Sequence, residues 1–245
     1  MEDDLEVAPD FFSYFEATLP ILKADPSLYC VSAWNDNGKA GLIDETRPEL
    51  LYRSDFFGGL GWMMTRQLWQ SEMMAKWPRS YWDDWFRDPK QRKDRACIRP
   101  EISRTKTFGK VGVSNGMFYD KHLKFIRLNS ERPVDFTSLD LSYLKKDVYD
   151  PRMMERLDKV PVASIEQVKS GEAKAKFGAN GHGAVRLLYH TKNVFKKYAK
   201  VLGIMDDFKS GVPRMAYRGV VSTMYNGLRV FVAPSYSWKG YDPTW

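Results

Sequence analysis

The chain is poor in cysteine and histidine and has no long apolar run. Its two cysteines are Cys30 and Cys97, and its three histidines are His122, His182 and His190. With no CxxC pair, no HExxH and no other ligand-like spacing, nothing assigns these side chains to a zinc site. The cysteines fit either one disulfide in an oxidising compartment or two buried thiols in the cytosol. A disulfide closing a loop of that length would stabilise the fold by about 4 kcal/mol. No stretch approaches the roughly 18 uninterrupted apolar residues that a membrane span needs. Met1-Glu2-Asp3-Asp4-Leu5-Glu6 has neither a basic n-region nor an apolar h-region, so it does not read as a signal peptide or anchor. There is no GxSxG elbow for a hydrolase nucleophile. The glycine-rich segment 109–116 lacks the Lys-Ser or Lys-Thr of a phosphate loop. No Asn-x-Ser/Thr sequon occurs.

What is present looks globular. The 245 residues suffice for one large or two modest domains, and 43% hydrophobic with 28% charged residues matches ordinary folded proteins. The net charge of +7 keeps anionic partners in view. Yet the basic residues are interleaved with acids, as in Arg87-Asp88-Pro89-Lys90-Gln91-Arg92-Lys93-Asp94-Arg95, and no nucleic-acid motif accompanies them. That pattern favours a solvated surface, or a site for an anionic small ligand, over a nucleic-acid groove. Aromatic residues are abundant at 14%, eight of them Trp.

Strands and helices alternate along the chain, an α/β pattern without internal repeats. Phe11, Phe12, Phe15 and Leu19 recur at helical spacing, predicting a helix to about residue 24 with Pro9 in its first turn. The run 28–34 reads as a strand. Trp62, Met63, Leu68, Trp69 and Met73 predict a helix from about 62 to 76, and Tyr81-Trp82-Asp83-Asp84-Trp85 a short one before Pro89. Strands are expected at 163–168 and 184–189, with helices near 153–157 and from a Thr191 cap to about 202, stopped by Gly203. Asn226-Gly227 between two apolar runs signals a hairpin.

Two acidic groups are candidates for chemistry. Glu2-Asp3-Asp4 offers hard oxygens suited to Mn²⁺ or Mg²⁺, although a solvated acidic terminus is the commoner meaning of such a cluster. Asp83 and Asp84 stand between Trp82 and Trp85, where indole surface that excludes water could tune one carboxylate as a general base. The bland alternative is acids at a helix N-terminus with core tryptophans. Adjacent helical side chains diverge by about 100 degrees, so one of the two acids is expected to face any given site. Indole faces also suit the apolar faces of sugars, and the segment 109–116 could act as a mobile lid.

These motifs, with Ser32-Ala33-Trp34-Asn35-Asp36-Asn37-Gly38, Arg99-Pro100-Glu101-Ile102-Ser103-Arg104-Thr105 and Gly240-Tyr241-Asp242-Pro243, resemble glycosyltransferase family 13, the N-acetylglucosaminyltransferase I family. The resemblance spans nearly the whole chain and is weakest over 150–190. A less close likeness is to the protein O-mannose β-1,2-N-acetylglucosaminyltransferases of the same family. It implies a GT-A fold with a Rossmann-like mixed sheet and an inverting transfer of GlcNAc from UDP-GlcNAc to the 2-hydroxyl of an α-1,3-linked mannose on an oligomannose N-glycan. By the match, Asp4 would ligate Mn²⁺, Asp3 would lie beside the nucleotide, and Glu2 would contact the donor sugar. Asp83 would be the catalytic base, Trp82 and Leu123 would line the GlcNAc pocket, and Ser114 would contact the donor from a loop over 110–122. The resemblance also implies a Cys30–Cys97 disulfide and a Golgi lumenal location.

The division implied is a catalytic part over 1–130 and a C-terminal α+β subdomain over 131–245. In this family the acidic triad follows an N-terminal nucleotide-binding half, and a type II membrane anchor precedes that. Neither stands ahead of Met1. The chain is therefore expected to be the C-terminal part of a longer enzyme, or a glycan-binding or structural remnant of one.

Overall fold

The computed structural model describes residues 2–110, 118–178 and 183–245. Strand β1 (Leu5–Val7) leads into α1 (Phe11–Ala24), whose Phe11, Tyr14, Thr18, Ile21 and Leu22 recur every three or four residues and are buried. Next come β2 (Leu28–Ser32), β3 (Leu51–Ser54) and β4 (Trp62–Met63). Short α2 (Arg66–Leu68) runs on through a π turn, Trp69–Met73. Then follow α3 (Trp82–Arg87), α4 (Pro89–Arg92), β5 (Ala96–Pro100) and β6 (Thr105–Thr107).

Every residue of β2 and β5 is buried. They are the inner pair of a four-stranded sheet ordered β3-β5-β2-β4 and run parallel, the arrangement in which strands covered on both faces read as continuous apolar runs. Cys30 and Cys97 are register partners in this pair and form a disulfide, with Cα atoms 4.6 Å apart. β1 pairs with β6 in a separate two-stranded ribbon.

The later chain holds α5 (Lys146–Lys159), α6 (Ile165–Ser170), α7 (Glu172–Phe177), β7 (Ala184–Tyr189) and α8 (Lys192–Leu202). It continues with β8 (Phe208–Lys209), β9 (Val212–Pro213), β10 (Val221–Tyr225) and β11 (Leu228–Pro234). The sheet β10-β11-β7 packs against α6 and α8 around Val185, Leu187, Phe195 and Val230. Asn226 and Gly227 both take positive φ, 49° and 77°, the backbone of the tight turn expected there. Main-chain bonds tie the two sheets' surroundings together: Asp55 N donates to Ala216 O at 2.7 Å and Met224 N to Leu42 O at 2.8 Å.

The mixed α/β architecture accords with the sequence, and α1, β7 and α8 fall where expected. Two segments differ. Trp62 and Met63 form β4 against Val31 and Ser32, and the helix starts only after Thr65, whose hydroxyl caps it. Residues 163–168 were expected as a strand, but Ser164 and Gln167 close a reciprocal capping box that opens α6. No helix among the described residues is long and apolar enough to cross a membrane.

The interior also holds paired charges. Arg53, 1% exposed, donates to Asp25 Oδ2 at 2.8 Å and to Leu144 O at 2.9 Å. Burial raises the Asp25 carboxyl, but bonds from Ser27, from the Lys146 main chain and from Arg53 outweigh it and hold the group below the ordinary carboxylate range. A carboxylate with a depressed folded pKa stabilises the protein above its unfolded pKa of about 3.9, and that contribution is lost as pH falls through the folded value. We expect Asp25→Asn, which strands the Arg53 charge, to lower unfolding free energy in denaturant by about 3–5 kcal/mol at neutral pH. The gap to wild type should narrow below about pH 4; a constant gap would contradict the assignment.

Candidate functional site

The Asp83 carboxylate is set by one arginine. On α3, Arg87 Nη1 donates to Asp83 Oδ2 at 2.6 Å and to Asp84 Oδ1 at 3.0 Å, while its Nε donates to Phe57 O at 3.0 Å. The guanidinium carbon lies 4.9 Å from the Phe56 ring centre and 5.8 Å from that of Phe57, so the cation is sandwiched as well as bonded. The two acids were expected to diverge. They share Arg87 because it reaches back one turn, pairing at i,i+3 and i,i+4. Asp84 is also bonded by Lys209 Nζ at 2.9 Å, from β8. Burial pushes the Asp84 carboxyl up, but Lys209 and Arg87 together bring it below its ordinary value. The Asp83 side chain is 43% exposed, and its Oδ1 has no hydrogen-bond partner among the described residues. Of the two acids, Asp83 is the one with an oxygen left to accept a proton from an incoming hydroxyl.

Behind these acids is an aromatic stack. Trp82 lies nearly parallel to Trp62, with ring centres 5.6 Å apart, and to Trp77 at 5.5 Å. Phe57 and Phe86 complete the cluster, and Tyr29, Cys30 and Cys97 close it from β2 and β5. The tryptophans are therefore both core and wall, since Trp62, Trp77, Trp82 and Trp85 are only partly buried.

The acidic triad sits in the turn before β1. Glu2 Oε2 accepts from Gly61 N at 2.8 Å. Gly61 has φ +84°, and a Cβ there would lie 2.6 Å from Thr105 Cγ2, so this turn against β6 needs glycine. Because Trp62 follows Gly61 and stacks on Trp82, a short run of contacts links Glu2 to the residue beside Asp83. Asp4 Oδ2 accepts from Thr107 Oγ1 at 3.2 Å, at the end of β6. A Cβ on Gly109 would stand 1.9 Å from the same oxygen, so any larger residue there would push the Asp4 carboxylate aside. Asp3 is exposed and stands outside these bonds.

Leu123, half-buried, opens a 3-10 turn that packs beside β6. Next to it, His122 Nδ1 lies 2.8 Å from Lys39 Nζ. Burial and the neighbouring Lys39 and Lys121 charges push His122 below its ordinary value. Ser114 and His182 lie outside the described residues.

A further cluster escaped the sequence reading. Where β2 ends, Trp34 Nε1 donates to Asp36 Oδ1 at 2.9 Å, and Arg214 Nη1 donates to Asp36 Oδ2 at 3.0 Å. Arg214 Nε bonds both oxygens of Asp207 at 2.8 Å, and its guanidinium lies over Phe56 and Phe118. Beside it, Asn35 N donates to Ser103 Oγ at 2.9 Å, and Asn35 Nδ2 donates to Glu101 O at 2.7 Å. The polar strings at 32–38 and 99–105 are thus the adjoining carboxyl ends of two parallel strands, where open α/β sheets bind ligands. Both strings stand out in the sequence, but Arg214 does not, lying 178 residues from Asp36.

Among the described residues no three His, Cys, Asp or Glu side chains converge as metal ligands. Asp4 supplies hard carboxylate oxygens of the kind that hold Mg²⁺-like ions when other groups complete the shell. That chemistry fits a cation shared with a bound ligand and not one held by a protein cage.

The GNT-I family model matches residues 1–245. The chain is 40% identical over 222 residues to the alpha-1,3-mannosyl-glycoprotein 2-beta-N-acetylglucosaminyltransferase of Arabidopsis thaliana, covering 90% of this chain and 48% of that protein. The chain thus spans about half the length of that relative.

The Gly109 contact gives a direct test of the acidic turn. Gly109→Ala should displace the Asp4 carboxylate and weaken, by about tenfold or more, the divalent-cation affinity that this carboxylate would supply, read by calorimetry with Mn²⁺ as the probe. Thermal unfolding should scarcely change, because the residue is near the surface. Unaltered Mn²⁺ affinity would show that Asp4 is not a ligand.

Proposed function

The chain belongs to the GNT-I family, and from that premise we propose that it carries the metal, base and acceptor side of an inverting β-1,2-N-acetylglucosaminyltransferase. The donor is UDP-GlcNAc, and the acceptor is the 2-hydroxyl of an α-1,3-linked mannose on an oligomannose N-glycan. The observation that carries the reading is Asp83: a carboxylate anchored through one oxygen to Arg87, its other oxygen unpartnered among the described residues, beside the Trp82 stack.

In the proposed reaction Asp83 Oδ1 takes the proton from the mannose hydroxyl as that oxygen attacks the anomeric carbon of GlcNAc. The bond from that carbon to the diphosphate breaks with its electron pair leaving on UDP, so attack from the opposite face gives the β-configured product. Arg87 fixes the orientation of Asp83, and Lys209 draws Asp84 away to its own ion pair. The indole of Trp82, with Leu123, offers apolar surface for the GlcNAc ring. Asp4 would hold Mn²⁺, with Asp3 beside the nucleotide and Glu2 and Ser114 on the donor. When bound, the cation supplies neutralisation of the diphosphate leaving group.

The architecture we infer is GT-A, on the strength of parallel strands β2 and β5 ending at the polar strings near the acidic turn. A Golgi lumenal setting agrees with the Cys30–Cys97 disulfide, which an oxidising compartment preserves.

Transfer of labelled GlcNAc by the full-length protein tests the base. Asp83→Asn keeps an oxygen for Arg87 but loses the proton acceptor, so kcat should fall about 10²- to 10⁴-fold with little change in donor KM. Undiminished turnover would rule Asp83 out.

A further inference from the structure

A second cavity is separate from these carboxylates. An open cleft of about 960 Å3 lies between α4, α5 and the segment after β11, and none of Glu2, Asp4, Trp82 or Asp83 lines it. Ligand sites run to about 1,000 Å3, so this one has room for more than one sugar ring.

Its wall is built from aromatic rings held in place by polar groups. Tyr236 is 79% exposed, yet its hydroxyl accepts from Arg186 Nη2 at 3.0 Å and the guanidinium lies 5.5 Å from the ring centre. Trp238 meets Tyr241 edge to face at 5.3 Å. Tyr241 is pinned from both sides: its hydroxyl donates to Asp55 Oδ2 at 2.6 Å and accepts from Gly219 N at 2.8 Å. An exposed ring fixed by bonds at its rim loses little entropy when a ligand stacks on it, and the donors around it suit hydroxyl groups.

The arginines of the wall are paired, which favours a neutral occupant over an anion even with Lys239 unpaired among the described residues. Arg186 faces Asp158 at 3.8 Å, Arg92 faces Asp94 at 3.4 Å and Asp55 at 3.9 Å, and Arg218 faces Asp150 at 3.3 Å. Each of these guanidinium groups already has a carboxylate partner. Bound sugar would meet bonded, oriented donors and apolar faces.

The cleft is also tied to the base. Ser210, in its wall, follows Lys209, whose ammonium holds Asp84. Asp55, which pins Tyr241, precedes Phe56 and Phe57, the residues that bear Arg87. α4, carrying Arg92, begins two residues after α3 ends.

We propose that this cleft is a remote acceptor subsite, which stacks a neutral mannose-containing branch on Tyr236 and Trp238 while a different mannose reacts at Asp83. The proposal rests on the transferase reading for its acceptor but is testable without turnover. Calorimetric titration of the full-length protein with a branched mannose oligosaccharide, without donor, should show affinity falling about tenfold or more for Tyr236→Ala and for Trp238→Ala. Tyr236→Phe, which keeps the ring, should bind nearly as wild type does. In transfer assays both alanine variants should raise KM for the branched acceptor, leave kcat and donor KM unchanged, and leave KM unmoved for a short mannoside carrying only the reacting residue. Unchanged affinity for the branched sugar, or an equal KM rise on both acceptors, would overturn the subsite. If wild type transferred GlcNAc to neither acceptor, the transferase reading would fail, and the titrations would still decide the cleft.

Discussion

The Arg87 guanidinium is the constraint on which the rest of the site depends. It is buried between Phe56 and Phe57, bonded to the Phe57 carbonyl, and closed at its outer end by Asp83 and Asp84. An exposed ion pair on a helix of this length would contribute a few tenths of a kcal/mol, too little to fix a side chain. Sandwiched between rings and shared with a main-chain carbonyl, Arg87 is a rigid anchor, and Asp83 takes its orientation from that anchor. Two carboxylates face two cations, Arg87 and Lys209, so the group is electrically balanced while one oxygen of Asp83 stays open.

The same device recurs at the carboxyl ends of β2 and β5. Asp36 and Asp207 enclose Arg214, and Glu101 and Arg229 pair at 2.8 Å nearby. Desolvating such charges is costly unless each is fully bonded. Burial alone would lower the Arg214 pKa, but Asp36 and Asp207 overcome it and hold the guanidinium above its ordinary value. Arg214 and Arg229 lie in the later part of the chain, and two of their acids, Asp36 and Glu101, in the earlier part. The two parts are therefore joined through bonded charges as well as apolar surface, beside the strand ends where the acidic turn and the aromatic stack meet.

Much of this was readable from the chain. The helical spacing of Phe11, Phe12, Phe15 and Leu19, the Thr191 cap and the Asn226-Gly227 turn each encode local structure through local chemistry, although the face that the first helix buries runs through Phe11, Tyr14 and Thr18. Trp62 and Met63 misled because their spacing to Leu68 and Trp69 fits a helix, whereas pairing with Val31 and Ser32 decides their state. The capping box at Ser164 and Gln167 was a local signal that the apolar residues just before it, Val160, Val162 and Ala163, obscured. Asp83 stood out between its tryptophans, and Arg87, four residues on, was in view as a charge but not as an anchor. Its role comes from Phe56, Phe57 and Lys209, whose proximity only the fold creates. Asp207 and Arg214 carry no motif at all.

The central claim is that this constellation makes one particular bond. The most direct check is the linkage of the product formed by the full-length protein from UDP-GlcNAc and a mannose-terminated N-glycan, read by NMR from the anomeric coupling and the through-bond correlation across the new glycosidic oxygen. The expected product carries GlcNAc joined in the β configuration to the 2-hydroxyl of the α-1,3-linked mannose. A product with α configuration, or one substituted at another hydroxyl, would contradict it.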